Sequence, residues 1–233
     1  MRAPRAAAGA VLLLLLVACG TLPEARMALP DTLRTAASSL PLEGLGGKPA
    51  GQYRLGEFSG AFTRSATRLS FFDTAVRSSA VSRFDVSVAG DADRMVAECG
   101  MREWRVEGRI FSFPVQNLRY TCDFRREGDP QGSLVLAESA ANVAQLVPQR
   151  EGTISYLGVT LNIRAEYKLE GSPFTMAAPA GYRFERDGKA VGAIELTDTA
   201  KPRLYIATGS SDPERHAAMV GALALGLFWE PER

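Results

Sequence analysis

The sequence predicts a mainly β domain: an antiparallel barrel, or a sandwich, of about ten or more strands with an apolar C-terminal helix packed in its centre. Three observations predict it. Val159, Leu161, Ile163, Ala165, Tyr167 and Leu169 alternate with Thr160, Asn162, Arg164, Glu166 and Lys168. Period two marks a strand with one buried and one wet face. Asp187-Gly188 lies between Gly181–Arg186 and Lys189–Thr197, a strong local signal for a two-residue hairpin. Finally, Ala217–Trp229 has no charged or strongly polar side chain on any face, so it must be buried all round, in lipid or in protein.

Taken in order, the chain begins with Arg2 and Arg5, an apolar run from Ala6 to Val17, and the small residues Ala18, Cys19 and Gly20. That is a secretory signal, too short for a membrane span. Leu16-Val17-Ala18-Cys19 resembles the lipobox of bacterial lipoproteins. The resemblance implies cleavage before Cys19, a diacylglyceryl thioether on its sulfur, and an acyl group such as palmitate on its amino group. Gly20, where an Asp would favour inner-membrane retention, points to the outer membrane, facing the periplasm. The alternative is an ordinary cleaved signal. Residues 1–18 are thus the expected signal peptide. Residues 19–52 are the expected lipidated N-terminus and flexible tether, on the evidence of Pro23, Pro30, Pro41, Pro49 and Gly44–Gly47, with a short helix near Asp31–Ser39. Residues 53–233 then form one β-rich domain.

Within that domain Phe84, Val86 and Val88 alternate, as do Trp104 and Val106. Met95, Ala97, Cys99 and Met101 share one strand face, and Leu118, Tyr120, Cys122 and Phe124 share another. Both thiols therefore point to the apolar side, and an exported location favours a Cys99–Cys122 disulfide over two buried free thiols. Ser139–Val147 reads as a helical turn or two stopped near Pro148, and Arg203–Thr208 as a further strand.

The closing helix is expected over 212–229. Ser211, Asp212, Pro213 and Glu214 supply a cap, a first-turn proline and acids near the positive helix end. Its apolar part is about 20 Å long at helical rise, short of a hydrocarbon core. A helix lying on a membrane keeps a strongly polar face, which this one lacks. Burial in protein remains. Met219, Val220, Leu223 and Leu227 form a bulky sector, with Ala217, Ala218, Gly221, Ala222 and Gly226 opposite. The small side suits close approach to a wall of strands.

Strands around an apolar C-terminal helix resemble the tubby-like superfamily, with its phospholipid scramblases and LURP-one-related proteins. Tyr182–Thr197, with its Asp-Gly turn, and Arg203–Ala207 followed by Asp212–Trp229 carry that likeness. It implies a barrel threaded by the helix and a lipid-related role. The basic residues with which tubby proteins bind phosphoinositides have no counterpart here.

Chemistry is sparse. There are 27 basic and 26 acidic side chains, and Arg2 and Arg5 leave with the signal, so no electrostatic case exists for nucleic acid. His216 is the single histidine, which disfavours both a zinc site and a serine hydrolase base, and it reads as a partly exposed residue at the helix entrance. Gly56-Glu57-Phe58-Ser59-Gly60 places its serine one position too late for a nucleophile elbow. No phosphate loop or dinucleotide fingerprint occurs, so no cofactor is expected. Trp104 and Tyr120 can line a ligand site but read as core. The expected protein is a membrane-anchored envelope lipoprotein, a non-catalytic structural or interaction module with a protein or lipid partner. A lipid or apolar-ligand binding module is the alternative, and an envelope hydrolase using carboxylates the second.

Overall fold

The computed structural model describes residues 25–71, 74–88, 93–107, 112–139 and 148–230. Cys19 and the expected signal lie outside them, as does most of the helical turn expected over Ser139–Val147.

Within the described residues twelve strands, each antiparallel to its neighbours, close into one barrel whose spatial order follows the chain. Four long strands come early: β3 (Phe58–Phe71), β4 (Ala75–Val88), β5 (Met95–Glu107) and β6 (Ser112–Arg126). After β7 (Asp129–Glu138) the strands are short: β8 (Arg150–Tyr156), β9 (Val159–Glu166), β10 (Gly181–Arg186), β11 (Lys189–Glu195) and β12 (Arg203–Ala207). β1 (Ala37–Glu43) pairs with both β12 and β2 (Ala50–Leu55), which closes the ring. A closed ring has no edge strand to protect.

Alternation builds the core. On β4 the residues Val76, Ala80, Phe84 and Val86 point inward, and on β6 Leu118, Tyr120, Cys122 and Phe124 do the same. The Asp187-Gly188 turn forms as expected, with φ of 50° and 75°. Glu127-Gly128 and Leu157-Gly158 repeat that geometry, since both central positions of such a turn need positive φ. Cys99 and Cys122 face each other in the ladder and are bridged.

Two expectations need correction. The first is the tether. Its portion from Met27 onward is folded: α1 (Asp31–Ala36) and β1 follow each other directly, and Met27, Leu33, Leu42 and Leu45 are buried. Met27 and Leu33 pack with Ala180 and Ala193 in a small second core beside the main one. Glu195 is the pin, accepting hydrogen bonds from the Met27 N–H (2.6 Å) and the Tyr205 hydroxyl (2.9 Å). The prolines that suggested a linker occupy special places instead. Pro30 precedes the first turn of α1, and Pro41 sits where β1 passes from pairing with β12 to pairing with β2. Gly44 turns the chain there at φ 91°, and a Cβ on it would lie 2.1 Å from the Gln52 carbonyl oxygen.

The second correction concerns Trp104, which is exposed and not core. The inward phase of β5 runs Met95, Ala97, Cys99, Met101, Glu103, so Trp104 falls on the outward phase and its ring lies outside, near Arg77.

The C-terminal helix, α2 (Asp212–Gly226), starts where expected and ends sooner. Glu214 accepts hydrogen bonds from both the backbone N–H and the hydroxyl of Ser211 (2.9 Å each). Every residue from Ala217 to Leu227 is buried. α2 lies against β8, β9, β11 and β12. A Cβ on Gly221 would meet the Phe184 ring at 2.7 Å, and one on Gly192 of β11 would sit 3.6 Å from that of Ala218.

Candidate functional site

The two ends of α2 meet different surroundings. Near its first turn Arg215 donates to Glu57 (2.6 Å), Arg186 donates to Glu214 (3.1 Å), and His216 Nε2 lies 3.5 Å from Glu57. These side chains are partly exposed, and such pairs contribute about 0–1 kcal/mol each. His216 is where the sequence placed it, half-buried at the helix entrance beside Phe58. Hydrogen bonds from both Ser211 groups and from Arg186 hold the Glu214 carboxyl below the usual carboxylate range.

Where α2 ends, the charges are buried. β8 brings in Arg150, which is 4% exposed. Its two terminal nitrogens donate to the two carboxylate oxygens of Glu230 at 2.9 Å each, its Nε donates to Glu138 (3.3 Å), and Nη1 also reaches the Tyr182 hydroxyl (3.4 Å). Arg105 donates to Glu103 (2.8 Å) and lies 3.6 Å from Glu138. Burial alone disfavours the charged guanidinium of Arg150, but Tyr182 and Glu230 more than offset it and hold its pKa well above the usual arginine value. Burial likewise raises Tyr182 and pushes Tyr167 up to about 12, so these phenols keep their protons. Removing one partner from a buried network of this kind is far more costly than losing a surface pair.

β3 delivers a second arginine to the same end. Arg64 is 8% exposed, and its Nε donates to the Lys48 carbonyl (2.9 Å). Its Nη1 reaches the carbonyl of Gly226, the last residue of α2, at 3.5 Å. The Trp229 ring lies 4.8 Å and the Phe62 ring 5.4 Å from the centre of the guanidinium. Between these groups is a cavity of about 320 Å³ whose lining includes Arg64, Arg150, Tyr182, Leu196, Leu225, Phe228, Trp229 and Glu230. That volume is at the lower end of small-molecule sites.

The sequence singled out neither arginine, though a signal existed. Arg64 continues the inward phase of Phe58 and Phe62, and Arg150 the inward phase of Ile154 and Tyr156. A charge on an apolar phase marks a buried polar site. Tyr120, read as core, is buried. Its hydroxyl donates to the Ala224 carbonyl (2.8 Å), and its ring stacks on Phe228. Buried carboxylates do converge, at Glu103 and Glu138, but around arginines. Among the described residues no group of three or more His, Cys, Asp or Glu side chains could hold a metal ion.

The wall itself is wet outside and apolar inside. Arg83, Glu98, Arg102, Arg119, Asp123 and Arg164 point outward, whereas a membrane-spanning barrel turns apolar residues outward. Among the described residues no helix is long and apolar enough to cross a membrane. No family model, curated protein or solved structure matches the chain.

Proposed function

We propose that this protein is a lipid-anchored envelope module. Cys19 carries the lipid, the outer membrane holds the anchor, and the barrel faces the periplasm as a structural or interaction domain. In this reading α2 occupies the barrel interior, so partners are met on the outer wall and at the rims. The observation that carries it is the burial of α2 along its whole apolar length, with neighbours from widely separated strands. Tyr120 of β6 bonds the Ala224 carbonyl, Ile154 of β8 and Phe184 of β10 flank Gly221, and Leu42 of β1 approaches Gly226. Size supports it too. Twelve strands spaced about 4.8 Å apart enclose a ring roughly 18 Å across before tilt widens it. A helix with its side chains is about 10–12 Å thick. The same arrangement, a closed antiparallel barrel followed by a buried C-terminal helix, supports the likeness to the tubby-like superfamily, which is a likeness of fold and assigns no activity.

A second reading is a binding module, favoured by the 320 Å³ cavity at the end of the barrel where α2 stops.

Anchoring is tested by expressing the full chain in a Gram-negative host. The mature protein should begin at Cys19, carry acyl mass and sediment with outer membranes. Cys19→Ser should lose the acyl mass and leave the membrane fraction or stay unprocessed. An unmodified mature N-terminus beyond residue 19 would contradict the reading.

A further inference from the structure

We propose that the cavity at the end of α2 binds a small organic carboxylate with an apolar body, and that Arg64 takes its charged end. The inference develops the binding-module reading and does not depend on lipid at Cys19.

One buried cation at this end of the barrel has no carboxylate partner among the described residues. Three arginines meet at this end of the barrel. Arg105 and Arg150 have Glu103, Glu138 and Glu230 as partners. Arg64 is as buried as they are, yet among the described residues it has no carboxylate within ion-pair distance. Burial lowers its pKa from the usual arginine value. Its protein partners are the Lys48 carbonyl, the more distant Gly226 carbonyl and two aromatic faces. The negative end of α2 supplies on the order of half a charge, which compensates Arg64 only in part. A guanidinium has five N–H donors, and these contacts use two of them.

The cavity narrows the choice of ligand. Apart from its polar groups it is lined by Leu196, Leu225, Phe228 and Trp229, so an apolar body has walls to rest on. At about 30 Å³ per water-sized volume, the space takes on the order of ten non-hydrogen atoms. A dianion such as phosphate would also face the carbonyl end of α2 and the carboxylate of Glu230, which disfavour a second negative charge. A monoanionic carboxylate meets Arg64 in the two-pronged geometry that guanidinium favours.

Trp229 makes the test optical. The chain has two tryptophans, and the other, Trp104, lies outside on the wall. In the full chain held in lipid nanodiscs, with Trp104→Phe to remove that signal, octanoate should shift Trp229 emission saturably. Octanol and inorganic phosphate at equal concentration should not. Arg64→Gln should weaken octanoate binding about tenfold or more, as expected for a lost charge-assisted pair. Arg64→Lys, which keeps the charge and loses the fork, should fall between. Thermal melting separates a binding role from a purely structural one. Relief of an uncompensated buried charge predicts that Arg64→Gln melts no lower than its parent. A variant that melts lower and still binds octanoate like the parent would make Arg64 a helix cap alone and overturn the proposal. So would an unsaturable response, or one that octanol reproduces. Acylation at Cys19 is read separately, so failure here leaves the anchoring result intact.

Discussion

The two halves of the barrel wall differ in strand length and in how closely they meet α2. From β8 to β12 the strands are five to eight residues long, and α2 lies directly against four of them. Contact there is close because the residues are small: Gly192 faces Ala218, and Gly221 faces the Phe184 ring. From β3 to β6 the strands are thirteen to fifteen residues long and carry large inward side chains, among them Phe58, Phe62, Phe84, Met95, Met101, Tyr120 and Phe124. In the reading proposed above, with α2 inside the ring, the difference teaches how one helix serves a ring wider than itself. Close backbone approach to α2 marks the short-strand side, where Tyr182 and Phe184 are buried as well, large side chains dominate the long-strand side, and a disulfide joins two of the long strands. The halves should therefore fail in opposite ways, through lost volume on the long-strand side and added volume on the short-strand side.

The largest effect is expected from Phe84→Ala, which empties aromatic volume from the long-strand half. A fully buried phenylalanine cut to alanine costs about 3–5 kcal/mol, read from the denaturation midpoint. A cost below about 1 kcal/mol would mean that the long-strand half is not tightly filled. Next comes the Cys99→Ala/Cys122→Ala pair. The bridge spans 23 residues, for which the chain-entropy model gives on the order of 3 kcal/mol. Peptide mapping without reductant should recover the two cysteine peptides joined, and free labelling of both thiols in the unreduced, unfolded protein would refute the bridge. The smallest effect is Gly221→Leu on the short-strand side, where overpacking costs about 1–3 kcal/mol. An unchanged melting temperature would break the comparison, because α2 would then have room to move away from Phe184.

How far the sequence disclosed this architecture depended on what each residue faces. Where one face is dry and the other wet, alternation was readable, and it put both Cys99 and Cys122 on the apolar face, while their register came from the ladder. The strand β1 was hidden because Pro41, a strand breaker elsewhere, is tolerated where pairing changes from one neighbour to the next. The tail of β3, Ser65 to Ser70, is polar and exposed enough to read as loop. Trp104 and Val106 formed an alternation of their own, but carrying the Met95–Met101 phase forward along β5 already turns them outward. Asp187-Gly188 announced its hairpin, whereas Leu157-Gly158 made the same turn with a leucine in the left-handed position. Arg64 and Arg150 went unnoticed because period-two reading counts a charge as a break in the pattern, when it marks a cation turned inward.

Hydrogen exchange on the α2 amides tests most directly whether the helix is the core of this fold. A helix enclosed by a closed barrel can release its amides only when the barrel opens. Residues Ala217 to Gly226 should therefore exchange with the same free energy as Cys99 and Cys122 on β5 and β6, equal to that of global unfolding. Exchange of the α2 amides several kcal/mol below that limit, with the strand amides still protected, would place the helix on the outside and contradict the account.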